Sequence, residues 1–360
     1  MYNNNNAQQL NITTIINNEN INDGDDNVLL INTMFNNNIN NKNRNKYKIN
    51  KYLGEGIQGS LYMASDANNN KYICKKINIV PEINPNQLNQ LNFELNLLKY
   101  LSSNKVTREY INPCLEYKII NNQVLTLFPI FNGYSLNHIK KYLLKMKHKN
   151  YYKILFHLIK VTLHGMAKIH QNNIAHQNIN ENSILVSTYT NNDEIKVKFT
   201  DFGLGCGLNN LNYNINTCNV ENPTKITNSI IKKMSKSNNL FLAKKNDILY
   251  LCTIFIKLLL FFENIELDLS QGYNDSIKEY IKKLITEKFL SQLSKYQKVN
   301  YSNDYDSLKY IKSNYETKRD ILEYLNILNN YVLCESQRIE SCQYILDKLI
   351  IYEKYKNNVF

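Results

Sequence analysis

The apolar pattern of this chain changes period once, near residue 135, and that change restricts the fold more than any other feature. Between residues 46 and 131 the apolar residues come in short alternating runs: KYKINKYLGEG, GSLYMASD, KYICKKINIV, CLEYKII and QVLTLFPI. Such alternation predicts half-buried strands. Turn-forming ANNN separates the second run from the third, and NNQ separates the last two. One segment of helical period, NQLNQLNFELNLLKYLSS, interrupts them. From residue 135 onward helical spacing runs through LNHIKKYLLKM, YYKILFHLIKVTLHGMAKIH, DILYLCTIFIKLLLFF, SIKEYIKKLITEKFLSQL and QYILDKLIIYEKY. The expected architecture is α+β. A small β-rich lobe with one helix, residues 46–131, precedes a larger, mostly helical lobe, residues 132–360. The sequence has no internal repeat.

Residues 1–45 stand apart, because seventeen of the first 44 are Asn. Such a segment has too little apolar surface to offset its ordering entropy, so a disordered Asn-rich tail is expected.

The net charge is +12, which raises a nucleic-acid or anionic-membrane partner as a reading. The lysines are spread along the chain beside Asn and Tyr, without polybasic blocks, so no nucleic-acid partner is expected. Seven cysteines show no metal-ligand spacing and predict reduced thiols in a cytoplasmic or nuclear protein. The opening MYNNNNAQQL lacks the apolar core of a signal peptide. The run at residues 247–262 is short for a membrane span and contains Lys257, so it predicts a buried core helix.

LGEGIQGSLY sets Gly54, Gly56 and Gly59 in a GxGxxG frame. Lacking Cβ, glycines let backbone N–H groups approach phosphate oxygens. In dinucleotide-binding turns the frame joins a strand to a helix. Here strand-like text flanks it on both sides, which suits a hairpin over phosphates; an ordinary glycine hairpin is the plainer reading. Lys75 follows Gly54 by 21 residues, in strand text, and Glu94 follows Lys75 by 19, on the predicted helix. A cation in that place suits phosphates, and a carboxylate there suits holding the cation. An isolated pair of this kind is by default a solvated one of little weight.

With that order of glycine loop, lysine and glutamate, residues 46–350 resemble a eukaryotic protein kinase domain. LFPIFNGYSL resembles the hinge, with Phe128 at the gatekeeper place, the Pro129 carbonyl facing adenine and the Phe131 N–H meeting it. MAKIHQNNIAHQN resembles the approach to the catalytic loop, and KFTDFGLG carries Asp-Phe-Gly with Asp201 at the metal-binding place. NDILYLC resembles the start of the buried central helix, with Asp247 as its anchoring acid. CESQRIES resembles the late segment whose Arg, here Arg338, holds the end of the activation segment. The resemblance implies a bilobal kinase fold and ATP and Mg2+ as cofactors. It implies a nucleotide site of Gly54, Gly56, Gly59, Leu61, Lys75, Pro129, Phe131 and Leu185, and metal binding by Asp201 and Ser183. Ile73 stands where the family has a small residue against adenine, which narrows the pocket.

The catalytic loop departs from the family. Where the pattern is HRDLKPEN, this chain reads HQNINENS, from His176 to Ser183. Asn178 takes the place of the aspartate that orients the substrate hydroxyl and accepts its proton. An amide has no useful basicity at neutral pH, and general acid–base help contributes roughly 10²–10⁴-fold. Asn180 replaces the lysine that meets the transferring phosphoryl group. Ser183 replaces the asparagine that ligates a second metal. Gln177 replaces the arginine that pairs with an activation-loop phosphate. Asp193 and Glu194 are the nearby carboxylates that would have to substitute as base. Asp201 and Asp247 are 46 residues apart with no Ala-Pro-Glu between them, and Glu221 in ENPTK sits too far upstream to serve without an insertion.

Two readings follow from the resemblance. One is an ATP-binding pseudokinase, scaffold or allosteric regulator, with weak or absent phosphotransfer. The other is an active, divergent Ser/Thr kinase moving the ATP γ-phosphate to protein substrates. A kinase-shaped binding module with no nucleotide site is a third. Each implies a protein partner or protein substrate, and none fixes the oligomeric state.

Overall fold

A computed structural model describes residues 47–56, 59–78, 85–120, 123–145, 151–187, 195–203, 205–207, 239–262, 279, 283, 287, 317, 319–329 and 341–359. The Asn-rich segment, Asp193, Glu194, Glu221, Arg338 and nearly all of SIKEYIKKLITEKFLSQL lie outside the described residues.

The chain divides into two compact units, Met1–Tyr142 with Glu181–Ile215, and Leu143–Asn180 with Asn216–Phe360. In the first, β1 (Lys48–Gly56), β2 (Gly59–Ser65), β3 (Lys71–Asn78), β4 (Glu116–Ile120) and β5 (Gln123–Pro129) build one sheet in the order β1-β2-β3-β5-β4. All its pairings are antiparallel. These are the five alternating runs of the sequence. The β2–β3 turn falls on ANNN. Asp66 accepts the Asn68 and Asn70 N–H groups, each at 2.9 Å, and Asn69 takes a φ of 61°. Asn enters this left-handed region more readily than most residues.

Alternation gives β3 two different faces. Cys74 packs with Tyr47, Ile49, Ala64, Leu125 and Leu127 into a buried cluster on one face. Ile73 and Lys75 project from the other. Helix α1 (Pro85–Ser103) follows, burying Leu97, Leu98 and Leu101. The short α2 (Lys105–Arg108) starts where the Asn104 side chain accepts the Val106 and Thr107 N–H groups, an N-cap. A second sheet of this unit orders β6 (Gly133–Ser135), β8 (Ile184–Ser187) and β9 (Val197–Phe199) as β6-β8-β9. Helix α3 (Leu136–Lys145) leaves β6 directly.

The second unit is helical. Helix α4 (Tyr151–Gln171) leads into the two-residue β7 (Ile174–Ala175). Helix α5 (Asn239–Phe262) begins eight residues before the run that predicted it (247 − 239). It buries Leu251, Cys252, Phe255, Ile256, Leu258, Leu259 and Leu260, so it is the core helix its composition indicated. Residues 319–329 are helical, and α6 (Cys342–Val359) closes the chain. Helix α6 is tied to α4 by Lys160 on Glu353 at 2.6 Å, and the Tyr324 hydroxyl donates to the same carboxylate at 2.7 Å. Phe156 stacks on Tyr324 at 4.2 Å between centroids. No helix among the described residues is long and apolar enough to cross a membrane. Cys74, Cys114, Cys252 and Cys342 are free thiols, as expected of reduced cysteines, whereas Cys206 is disulfide-bonded.

Candidate active site

The glycine frame forms the β1–β2 hairpin. Gly56 pairs with Gly59, Glu55 with Ser60, and Gly54 with Leu61. Gly59 has a φ of 140°, and a Cβ there would run into the Lys76 carbonyl oxygen and the Ile77 side chain. Only glycine fits both conditions. Gly54 likewise has a φ of 154°. Register shifts near Ile49 and Tyr52 bend the strand leading to it.

On β3, Lys75 lies opposite Leu61 of β2 and Thr126 of β5. Its ammonium is 3.5 Å from the Glu94 carboxylate of α1, with side-chain exposures of 16% and 9%. This is a largely desolvated pair, unlike the solvated default. Burial pushes the Glu94 carboxyl above its ordinary range, the Lys75 ammonium pulls it back, and the Asp201 carboxylate pushes it up again. Asp201 is therefore a close electrostatic neighbour of the pair. Lys75 and Glu94 thus meet as their order along the chain suggested, and Asp201 lies within electrostatic reach of Glu94.

One other candidate, Ser183, is tied by its backbone to the residue before Asp201. Ser183, buried, precedes β8, and its carbonyl accepts the Thr200 N–H at 3.0 Å. Asp201 follows Thr200 with a φ of 69°, a left-handed conformation uncommon outside glycine. Leu61 and Leu185 are buried. Ile73, buried, lies opposite Phe128, on the Lys75 face of β3. Pro129 ends β5, where a missing N–H interrupts no long ladder, and the Phe131 carbonyl accepts the Gly133 N–H at 3.0 Å.

The loop after β7 belongs to the other unit. Asp247, fully buried at 0% exposure, organises it. Its Oδ2 accepts the His176 N–H at 2.7 Å and lies 3.0 Å from His170 Nε2. Its Oδ1 accepts the Gln177 N–H at 2.7 Å. Gln177 itself has a φ of 59°. These bonds to a buried carboxylate hold the loop in a turn that the backbone alone would not favour. Within the loop the Asn178 N–H donates to His176 Nδ1 at 3.2 Å. The Asn180 amide donates to the Asn178 carbonyl at 3.0 Å, so its nitrogen braces the loop. Both side chains are half-buried neutral amides.

Comparison with known proteins agrees with this geometry. The protein kinase domain model matches residues 47–287. The chain belongs to the protein kinase family. A probable serine/threonine-protein kinase of Dictyostelium discoideum, fhkA, is 27% identical over 161 residues, 44% of this chain and 26% of that protein. Mouse and human Myosin-IIIa are each 24% identical over 173 residues, 48% of this chain and 10% of theirs. The chain therefore spans about a quarter of the first and a tenth of the others. The solved kinase domain of PF14_0431 superposes with a TM-score of 0.51 at 12% identity, covering 84% of this chain and 95% of that one. That likeness shows the fold, the α+β kinase arrangement expected from the sequence.

Two features of this kinase-family chain were not legible beforehand. One is the Asn104-capped turn of α2, whose signal was an Asn ahead of a short polar helix. The other is Lys198 of β9, for which the sequence carried no signal beyond alternation.

Proposed function

We propose that this kinase-family domain binds ATP with Mg2+ and is a pseudokinase, with weak or absent phosphotransfer, working as a scaffold or allosteric regulator of a protein partner. The observation that carries the reading is the catalytic loop. Asp247 anchors it through the His176 and Gln177 N–H groups, and the resemblance sets neutral amides, Asn178 and Asn180, against the base and the phosphoryl-binding cation of the family. A loop so well held would present a base if it had one.

Nucleotide binding draws its support from the Lys75–Glu94 pair beside Asp201. Lys75 would meet the phosphates, with Glu94 fixing its ammonium. The glycine hairpin would cover them with backbone N–H groups. Hard oxygen donors suit Mg2+, and the Asp201 carboxylate with the Ser183 hydroxyl is a small set of that kind. The ion would neutralise phosphate charge. Ser183 is shorter than the family's carboxamide, so the load falls on Asp201.

The test is γ-phosphate transfer, to added protein and to the chain itself, by the wild type and by the Asn178→Asp, Asn180→Lys, Ser183→Asn triple variant. The wild type is expected far below the roughly 1–100 s⁻¹ of active kinases, with the variant faster. Wild-type turnover in that range, abolished by Lys75→Met or Asp201→Ala, would establish the active divergent Ser/Thr kinase instead.

A further inference from the structure

Lys198 stands on β9 three residues before Asp201. Its neighbours Val197 and Phe199 are buried, and alternation sends Lys198 to the opposite face. An ordinary strand lysine there would reach solvent. This one is half-buried, and its ammonium donates to the Ile111 carbonyl at 2.8 Å and the Arg108 carbonyl at 3.3 Å. Burial lowers its pKa, Arg108 and Lys196 act in the same direction, and Glu109 opposes them. An ammonium held beside two other cations needs its carbonyl partners.

The same segment grips β9 by its backbone. The Phe199 N–H donates to the Tyr110 carbonyl at 2.7 Å, and the Asn112 N–H donates to the Phe199 carbonyl at 3.0 Å. Two residues after Phe199 comes the left-handed Asp201. Such conformations persist where the surroundings over-determine them. The turn at 108–112 and the Ser183 carbonyl supply that restraint, and the Lys198 ammonium adds two charge-assisted bonds between β9 and the turn.

We propose that Lys198 is a positioning residue: its ammonium clamps β9 to the carbonyls of residues 108 and 111, fixing Asp201 in the geometry that receives Mg2+. The proposal rests on the nucleotide–metal reading above and adds to it how the metal carboxylate is held. It predicts that loss of the ammonium loosens residues 199–203 and weakens metal use while leaving the Lys75 end of the site in place.

The experiment compares the full chain with Lys198→Met, Lys198→Gln and Lys198→Arg. Amide hydrogen exchange is followed without ligand, and thermal unfolding is followed with ATP at graded Mg2+. Lys198→Met should speed exchange at residues 199–203 by about tenfold or more, the scale of one charge-assisted bond, with β3 and β5 unchanged. It should raise the Mg2+ concentration needed for half of the ATP-dependent shift by a similar factor and leave the Mg2+-free ATP shift intact. Lys198→Arg should restore both. Lys198→Gln, neutral but still a donor, should fall between and guards against a variant that fails to fold. Unchanged exchange at 199–203 in Lys198→Met overturns the proposal, as does equal acceleration across β3, β5 and β9. Absence of any ATP shift in the wild type refutes the nucleotide reading, and the exchange data then decide the clamp alone.

Discussion

Replacing Asp247 by Asn tests whether one buried carboxylate holds the loop that follows β7. The change is nearly isosteric and removes the charge. Asp247 accepts three contacts, from the His176 N–H, the Gln177 N–H and His170 Nε2. Hydrogen bonds to a charged group contribute about 1.5–3 kcal/mol each, roughly twice a neutral bond. An Asn oxygen in the Oδ2 place keeps two of these as weaker bonds. Its Nδ2 then faces the Gln177 N–H, leaving donor against donor in a buried site, which costs about 1–3 kcal/mol. The expected destabilisation of the helical unit is about 2–4 kcal/mol, and Asp247→Ala should cost more. Hydrogen exchange of the α4 and α5 amides reads it directly, because their slowest openings report the stability of that unit. A loss below about 0.5 kcal/mol, the range of ordinary surface substitutions, would refute the assignment of Asp247 as the anchor.

Further outcomes follow from the other unit. Gly59→Ala places a Cβ against the Lys76 carbonyl at a φ of 140° and should cost about 1–3 kcal/mol in urea unfolding, whereas an unstrained site would show a few tenths. Lys75→Met should abolish ATP-dependent stabilisation without lowering the unfolding temperature of the ligand-free chain by more than a few degrees. A retained ATP shift would place the phosphates elsewhere. The raised Glu94 pKa has a definite sign: protonation is easier in the folded state than in the unfolded chain. Its favourable contribution is therefore present below the unfolded glutamate pKa and is lost as pH rises through the folded one. Glu94→Gln should accordingly leave the ligand-free chain as stable as the wild type, or more so, at neutral pH, while weakening ATP binding. ATP affinity of the wild type should also fall on acidification at a higher pH than an ordinary glutamate would give, and a fall only at or below that ordinary value would contradict the assignment.

The long elements were readable because their patterns are long. Five alternating runs became β1 to β5, and α4, α5 and α6 follow from apolar residues at helical spacing. The strands β6, β7, β9 and β10 (Cys206–Gly207) have two or three residues each, too few for a period to register. The early start of α5 was missed because Lys244, Lys245 and Asn246 separate the apolar Leu240–Ala243 from the run that predicted the helix. In the site, Lys75 and Glu94 could be paired from their order along the chain, since a strand and the following helix bring them together. The left-handed Asp201 and Gln177 left no mark, because neither is glycine and tertiary hydrogen bonds hold them. Lys198 was equally silent: its partners are backbone carbonyls, which every residue owns. What the sequence displayed most openly is the pair of amides Asn178 and Asn180 in HQNINENS, which the resemblance sets against an aspartate and a lysine.

The most direct test of the proposed nucleotide binding is thermal unfolding of the purified chain with and without ATP, each with and without Mg2+. A ligand that binds only the folded state stabilises it by RT ln(1 + [L]/Kd), about 2.7 kcal/mol at a hundredfold excess over Kd. A rise in unfolding temperature that requires ATP and grows with Mg2+ is the predicted result, and it would show that Lys75, Glu94 and Asp201 form a working site. No rise at millimolar ATP would contradict the account and leave a kinase-shaped domain whose ion pair serves only its fold.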